Sequence, residues 1–237
     1  MKKHEHRIAS PKRYPILKKE FHYVVKLGPG PHSKKKGLPL LLMLRDLLKI
    51  SKTRKETEKI LNSRKVMVDN RVVKDVKFPV GFMDTLTVAG DNYRLMFDKH
   101  GDVNLIKIND KESSLKICKI KDKKMVAGGK IQLNLHDGRN ILVESKDYLP
   151  GDSIVISLPE QEIKKHLPCK KEMLVYITDG KHIGEIAKIL EFIEVPGLNP
   201  DKVILKLNDN EFETLRKYIF VLGDSKPEVD IGEIHGK

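Results

Sequence analysis

Cationic side chains interleaved with aromatic ones are the residues of this sequence best suited to a chemical task. Tyr14, Phe21 and Tyr23 lie among the lysines and arginines of the first 37 residues. Aromatic rings can stack on nucleic-acid bases, and ammonium or guanidinium groups can pair with phosphates. The chemistry expected of this segment is therefore RNA binding. The same rings could also anchor the segment on the protein's own body, and the two roles are compatible.

The excess of positive over negative side chains lies in the first third of the chain. Residues 1–80 contain 22 Lys and Arg against 7 Asp and Glu, whereas the remaining residues contain 24 basic and 26 acidic side chains. A concentrated positive field attracts a polyanion and releases its counterions. A surplus that serves only solubility is the alternative, but solubility does not require one-sided placement.

Residues that could support catalysis or hold a metal are not grouped in the sequence. His166 and Cys169 are three residues apart, but no second pair has the spacing of a closed metal site. The segment Gly128-Gly129-Lys130 lacks the other elements of a phosphate-binding loop, and no dinucleotide fingerprint or nucleophile elbow occurs. We therefore predict no cofactor, no metal, no small-molecule substrate and no enzymatic activity.

Cysteine usage and hydropathy indicate the compartment. Cys118 and Cys169 lie far apart, as in a protein of a reducing compartment. The longest apolar run, residues 38–44, contains a proline and is too short to span a bilayer. The sequence predicts a soluble, cytoplasmic protein without a membrane partner.

Elements that could position the cations follow the first 37 residues, which themselves show no helical or strand period. Residues 38–50 predict a helix with Pro39 in its first turn. Thr53 and Glu56 have the spacing of a capping box and predict the start of a second helix. Asp69-Asn70 predicts the turn of a hairpin. From Tyr93 onward, short strands separated by turn residues predict β domains.

Three segments resemble the alpha-L RNA-binding motif of bacterial ribosomal protein four, tyrosyl-tRNA synthetases and RNA pseudouridine synthases. They are LRDLL at residues 44–48, TRKE at 53–56 and KVMVDNRV at 65–72. Two positions depart from the common pattern. Arg64 stands where many such motifs have a glycine, so the helix must end differently or Arg64 must bear strain. Asn70 replaces a turn glycine, a milder change because asparagine tolerates that conformation.

The flanking segments narrow the resemblance to the archaeal and eukaryotic ribosomal protein four of the small subunit, the "e" family. They are HEHRIASPK at residues 4–12, GPH at 30–32, KFPVGFMD at 77–84, LHDGR at 135–139, and TDGKHIGEI at 178–186, which is similar to a KOW motif. The resemblance covers nearly the whole chain.

The resemblance implies an α+β protein of several modules. These are a basic extended N-terminal segment (residues 1–37), an alpha-L module of two helices with a small β hairpin or sheet (38–92), a central β domain (93–168), a C-terminal SH3-like KOW β-barrel (169–222) and a polar tail (223–237). It also implies a structural role in the small ribosomal subunit, with small-subunit ribosomal RNA and neighbouring small-subunit proteins as partners.

The predicted RNA-binding residues are cationic or polar side chains of the arm, the alpha-L module and the KOW loop. They are His6, Arg7, Lys12, Arg13, Lys34, Lys35, Lys36, Arg45, Arg54, Lys55, Lys59, Arg64, Lys65 and Lys181. Two other functions remain open at this point. One is an RNA-binding protein that targets RNA modification, and the other is a KOW-type transcription-elongation factor.

Overall fold

The structure, a computed structural model, describes residues 4–197, 200–207 and 210–232. Of the predicted arm and tail, residues 1–3 and 233–237 lie outside this range. The described residues form two compact units, residues 4–96 with 102–114 and residues 97–101 with 115–232. Strands dominate both units and helices are few. The module boundary predicted between residues 92 and 93 falls inside the strand Asp91–Phe97, because the sheet of the alpha-L module continues past it.

The first unit consists of short strands and short helices. The strands that begin in it are β1 (Glu5–His6), β2 (Tyr23–Val24), β3 (Leu38–Pro39), β4 (Val66–Val68), β5 (Arg71–Val72), β6 (Pro79–Val80), β7 (Thr85–Val88), β8 (Asp91–Phe97) and β9 (Val103–Ile108). The helices are α1 (Leu40–Leu42), which continues as a π-helix over Met43–Leu47, α2 (Arg54–Asn62) and α3 (Asp110–Ser113).

The basic arm, residues 4–37, is folded back on itself rather than extended. Strands β1 and β2 pair antiparallel, with Glu5 opposite Val24. The Arg7 amide continues this pairing and donates to the His22 carbonyl at 3.0 Å. The Tyr14 side chain is buried, and its burial raises the pKa of its hydroxyl. The sequence predicted an extended segment because the contacts that fold the arm join residues 10 to 19 positions apart, which leave no periodic pattern in the sequence.

A buried hydrogen bond, the His32–Asp84 clasp, fixes the end of the arm to the alpha-L module. His32 Nε2 lies 2.9 Å from Asp84 Oδ2, and both side chains are almost fully buried. The same carboxylate oxygen accepts the Gly81 amide at 2.8 Å. Because a methyl group on Gly81 would collide with the His32 ring, glycine is required there. The GPH and KFPVGFMD segments are therefore two sides of one contact.

The prediction for the first helix was wrong about the residue at which it begins and about the type of helix it forms. Leu38 and Pro39 form strand β3, which pairs with β6, and the helix begins at Leu40. Leu38 and Pro39 are strand rather than helix because this part of the chain pairs with the segment before β6, where the Leu40 amide donates to the Phe78 carbonyl at 3.0 Å. The later turn is a π-helix, in which the Leu48 amide bonds to the Met43 carbonyl at 2.9 Å.

The capping box that predicted helix α2 is confirmed. The Glu56 amide donates to Thr53 Oγ1, and the Glu56 carboxylate accepts the Thr53 amide. The helix ends before Arg64, which has a φ of 59°. Arg64 therefore occupies the left-handed position itself. Among the residues described, no helix is long and apolar enough to cross a membrane.

The Asp69-Asn70 hairpin is also confirmed and leads into a five-stranded sheet. Both residues have positive φ, 50° and 59°, and β4 pairs antiparallel with β5. The strand order of the sheet is β5-β4-β7-β8-β9. The buried Asp69 carboxylate accepts the Thr85 amide at 3.0 Å, which ties the turn to β7. The α2 helix thus precedes a hairpin that is held rigidly by its own turn residue.

The second unit is built from two further five-stranded antiparallel sheets. Its strands are β10 (Leu115–Met125), β11 (Ile131–Leu135), β12 (Asn140–Val143), β13 (Ser153–Ser157), β14 (Ile163–Leu167), β15 (Leu174–Ile177), β16 (Ile186–Ile193), β17 (Lys202–Leu207), β18 (Asn210–Leu215) and β19 (Ile219–Gly223). The strand orders are β12-β11-β10-β13-β14 and β18-β17-β16-β15-β19. The Lys119 ammonium group joins the two sheets by donating to the Ile219 carbonyl at 2.6 Å.

Candidate nucleic-acid interface

Helix α2 presents a row of cations on a rigid support. Lys55 and Lys59 are exposed and stand one helical turn apart. Arg54 is also exposed, and its Nε donates to Glu58 Oε1 at 2.8 Å, so part of its charge is neutralised locally. Fixed cations at helical spacing suit the phosphates of a folded RNA.

The N-terminus of α2 contributes less to anion binding than an uncapped helix would. The Glu56 carboxylate accepts the Lys52 amide at 2.8 Å and brings a negative charge to this end of the helix. The bonds from the Lys52 and Thr53 amides lower the pKa of Glu56, so it stays ionised. The positive charge that α2 offers to an anion therefore comes from its side chains rather than from the helix dipole.

Arg64 and Lys65 extend the cationic surface beyond the helix. Both side chains are exposed, and they lie between α2 and β4. Arg45 differs from them because it is partly buried and bonds to its neighbour, with Nη2 2.9 Å from Asp46 Oδ2. The guanidinium of Arg45 is therefore compensated in the folded protein.

Arg7 is the clearest departure among the predicted RNA-binding residues. Only 5% of the residue is exposed. Its Nη1 donates to the Leu17 carbonyl at 2.8 Å and to the Glu20 carboxylate at 2.9 Å, and its guanidinium lies over the Phe21 ring. The Arg7 charge is used to fold the arm, so it is not available to a phosphate in this arrangement.

The other predicted residues of the arm lie at its surface. Lys12, Lys35 and Lys36 are exposed, and Arg13 is partly exposed. Lys34 is exposed but near the buried Glu5, with Nζ 2.9 Å from Oε1. The exposed His6 ring packs against the rings of His22 and Tyr23. The structure thus brings the arm and α2 residues into one unit.

Lys181 lies in the second unit, at the exposed tip of the loop between β15 and β16. The loop is shaped by Gly180 and Gly184, which have φ values of 99° and 82°. A Cβ on Gly184 would approach the Asp98 backbone to 2.6 Å, so this position needs glycine both for conformation and for space. The neighbouring His182 ring stacks on Phe212.

A cleft of about 1000 Å³ lies within the first unit, between the arm and the chain that leads into α2. The arm residues of its lining include Phe21 and Tyr23. Its other lining residues include Lys49, Lys52 and Lys77. These three lysines were not among the predicted RNA-binding residues, although Lys49 and Lys52 lie between two alpha-L segments and Lys77 begins the KFPVGFMD segment. Their positive charge close to those motifs was the only signal in the sequence that could have found them.

The aromatic rings of the arm divide between the two roles considered from sequence. Tyr14 is 4% exposed and anchors the arm, whereas Phe21 and Tyr23 are 62% and 53% exposed. Exposed rings of this size are available for stacking.

One buried cluster, Cys118, His136 and Asp137, has the side chains of a metal site but not its electrostatics. The Lys116 ammonium lies 3.0 Å from Asp137 Oδ2, and Arg139 Nε lies 3.2 Å from the same atom. Burial opposes ionisation of Asp137, but the charges of Lys116, His136 and Arg139 outweigh it and lower its pKa to about 2. Two cations already occupy the carboxylate, which disfavours a third.

His166 and Cys169 are also used within the protein. His166 Nε2 lies 2.9 Å from Asp152 Oδ2, and the Cys169 amide donates to the other oxygen of this carboxylate at 2.8 Å. Burial raises the pKa of the Cys169 thiol, which keeps it protonated. His166 and Cys169 therefore hold the end of β14 against Asp152, and these contacts do not resemble a metal site.

Comparisons with known proteins agree with this arrangement. Residues 47–86 match the S4 domain and residues 89–163 match the ribosomal family S4e. The chain is 44% identical to the small ribosomal subunit protein eS4 of Methanocaldococcus jannaschii, over 97% of this chain and 98% of that protein. It is 41% identical to the protein of the same name from Methanocella arvoryzae, over 95% and 96%.

A solved structure is also similar. The crystal structure of the 30S ribosomal protein S4e from Thermoplasma acidophilum matches with a TM-score of 0.71 and 30% identity, over 80% of this chain and 96% of that one.

Proposed function

The chain belongs to the eS4 family of small ribosomal subunit proteins, and from this premise we propose that it is a structural constituent of that subunit. It binds and stabilises small-subunit ribosomal RNA through its basic arm and its alpha-L module. It works in the cytoplasm as part of the particle. Membership of this family favours the ribosomal role over the two alternatives considered from sequence, a protein that targets RNA modification and a transcription-elongation factor.

The observation that carries this proposal is the fixed cationic face of α2. Lys55 and Lys59 stand exposed on a helix whose start is held by a complete capping box. Arg64 and Lys65 continue the charge next to it. Since folding does not use these charges, their role is intermolecular, and phosphate is the partner that a dense row of cations selects.

The proposed RNA contacts follow from exposure. We retain the predicted residues whose side chains are at least partly exposed and assign Arg7 to the folding of the arm. The retained residues are His6, Lys12, Arg13, Lys34, Lys35, Lys36, Arg45, Arg54, Lys55, Lys59, Arg64, Lys65 and Lys181. Arg45 contributes least among them because Asp46 compensates it.

The C-terminal sheet is proposed to be a KOW-type barrel with Lys181 at its RNA-facing loop. Its support is the TDGKHIGEI motif together with the closely packed Gly184. Neighbouring ribosomal proteins are proposed to cover the apolar side chains that the arm exposes, of which Ile8 and Leu17 are 75% and 74% exposed.

Incorporation into particles tests the proposed function. Labelled protein is mixed with salt-washed small subunits and sedimented, and the protein is expected in the small-subunit peak. The variant Lys55→Gln/Lys59→Gln should incorporate less, with an unchanged melting temperature. The matched control Lys164→Gln/Lys171→Gln removes two lysines that pair with glutamates in the second unit, and it should incorporate normally. A protein that stays at the top of the gradient would refute the proposal.

A further inference from the structure

We propose that the cleft of the first unit binds one unstacked RNA nucleotide, with its base stacked on the lining rings of Phe21 and Tyr23 and its phosphate paired with the lining lysines. The inference rests on the proposed function and deepens it, because it specifies what kind of RNA feature the site accepts. A paired and stacked base would not satisfy it, since both faces of such a base are already covered.

The aromatic rings that line the cleft are exposed, and neighbouring side chains hold them in place. Phe21 and Tyr23 line the cleft and are more than half exposed. The Tyr23 ring contacts the His22 ring edge-on, with centroids 4.5 Å apart. The Arg7 guanidinium lies 4.8 Å from the centroid of Phe21. Rings that are restrained before binding lose little entropy when a base stacks on them, which makes them suitable platforms.

The charge lining the cleft is positive once internal pairs are considered. Each acidic residue of the lining has a cationic neighbour. Glu20 pairs with Arg7 and Asp46 with Arg45, while the third acid, Glu5, lies beside Lys34. Lys49, Lys52 and Lys77 also line the cleft. In the part of the chain that the structure describes, no ion pair within 4 Å involves these three ammonium groups. The field within the cleft therefore favours an anion.

Aromatic and cationic surfaces facing one cleft are the combination that a nucleotide needs. A fatty or purely apolar ligand would not use the lysines, and an acidic peptide would not use the rings. Arg54 lines the cleft and begins α2, and the exposed Lys55 and Lys59 follow on that helix. A nucleotide within an RNA chain could thus place its neighbouring phosphates on α2, which a free nucleotide could not do.

A pair of RNA hairpins tests this assignment on the full chain. One hairpin carries a single bulged 2-aminopurine nucleotide. The other carries a stable abasic analogue at the same position, so that both have the same number of phosphates. We expect the protein to bind the 2-aminopurine hairpin roughly tenfold more tightly, within the range known for stacking on aromatic side chains, and to quench its fluorescence.

Variants of the two rings separate stacking from charge. Phe21→Leu/Tyr23→Leu should lose the preference for the base and the quenching but keep its affinity for the abasic hairpin. Tyr23→Phe should retain both. Leu17→Ala is the matched control, because Leu17 is 74% exposed on the same arm and does not line the cleft. It should behave as the unmodified protein.

The outcomes distinguish this inference from the proposed function. Equal affinity for the two hairpins, with no effect of the ring variants, would overturn the cleft assignment and leave RNA binding intact. Displacement of the hairpin by millimolar AMP would indicate a free-nucleotide site and would also overturn it, as would displacement by polyglutamate at the same charge concentration. Failure to bind either hairpin or ribosomal RNA at low salt would refute the proposed function itself.

Discussion

Arg64 combines two demands in a single residue. Its φ of 59° lies in the left-handed region, which costs a residue with a side chain roughly 1–2 kcal/mol. Glycine would remove this cost, but it would also remove an exposed positive charge next to α2. The retention of arginine at a position suited to glycine is explained if the charge contacts RNA.

Two substitutions separate the strain at Arg64 from its charge. Arg64→Gly and Arg64→Ala remove the same charge, but only glycine relieves the backbone. After the entropy of glycine in the unfolded chain is included, we expect Arg64→Gly to be about 1 kcal/mol more stable than Arg64→Ala, as measured by urea unfolding. Both variants should bind ribosomal RNA equally weakly. A difference between their affinities would show that backbone geometry, not charge, matters here.

Asp137 and Lys116 form a buried ion pair in the central sheet. The two residues are 2% and 0% exposed, and their charged atoms are 3.0 Å apart. The ionised form of Asp137 is favoured in the folded protein, where its pKa is about 2 rather than its ordinary 3.8. This pair therefore contributes stability above pH 3.8, and the contribution is lost as the pH falls towards 2.

The pH dependence of unfolding tests this ion pair. Between pH 5 and pH 2, the unmodified protein should lose roughly 2 kcal/mol of unfolding free energy more than Asp137→Asn, which cannot titrate at this position. Asp137→Asn should be less stable at pH 5, because Lys116 remains buried without its counter-charge. Denaturant titrations at several pH values provide the comparison. Parallel pH profiles for the two proteins would contradict the account.

The sequence was informative about single residues whose conformation depends on their immediate neighbours in the chain. The alternative stated for Arg64, strain at a left-handed position, is the one that the structure adopts. Asp137 belongs to the LHDGR segment that was recognised from sequence, but its burial against Lys116 was not predicted. The two residues are 21 positions apart, and no local pattern indicates that a lysine within a strand points into the core. Arg7 was predicted to bind RNA, and its contacts within the arm were not foreseen for the same reason, since its partners Leu17 and Glu20 become neighbours only after folding.

At the scale of elements, the His32–Asp84 clasp connects the arm to the alpha-L module. The contact is between positions 52 residues apart in sequence, and it explains why glycine stands at Gly81. Segments that identify an RNA-binding family can therefore be structural contacts. The GPH segment contributes its histidine to the protein core rather than to RNA.

Limited proteolysis measures whether the clasp holds the arm. Gly81→Ala should displace the His32 ring and accelerate tryptic cleavage within residues 12–26, because the end of the arm loses its buried attachment. Gly90→Ala is the matched control, since Gly90 has a φ of 99° but no atom within 4 Å of the position that a Cβ would take. That control should lower the melting temperature without exposing the arm. If the Gly81→Ala arm resisted trypsin as well as the unmodified arm, the clasp would not be its attachment.

Elements with a local signal were predicted well, and those determined by distant pairing were not. The α2 capping box and the Asp69-Asn70 turn are encoded within four residues and are confirmed. The start of the first helix was misplaced because Leu38 and Pro39 pair with Val80 and Pro79. The predicted boundary after residue 92 lies within β8, which pairs with β7 across the turn at Ala89 and Gly90.

At the scale of the whole molecule, the charge asymmetry that is visible in the sequence becomes concentrated in one unit. The arm and the alpha-L module both belong to the first unit, which contains residues 4–96, and these contribute the excess of lysine and arginine. Internal contacts use several of these cations, among them Arg7, Lys34 and Arg45. We propose that the exposed cations of the arm and of α2 neutralise phosphates of small-subunit ribosomal RNA.

The salt dependence of binding to purified small-subunit ribosomal RNA tests this claim most directly. Each lost phosphate contact should reduce the log–log slope of affinity against salt concentration by roughly 0.7–0.9. We predict a slope reduced by about 1.5 for Lys55→Gln/Lys59→Gln and a reduced slope for a chain lacking residues 1–27, which retains the clasp. Lys164→Gln/Lys171→Gln should leave it unchanged. Identical slopes for all four proteins would contradict the account.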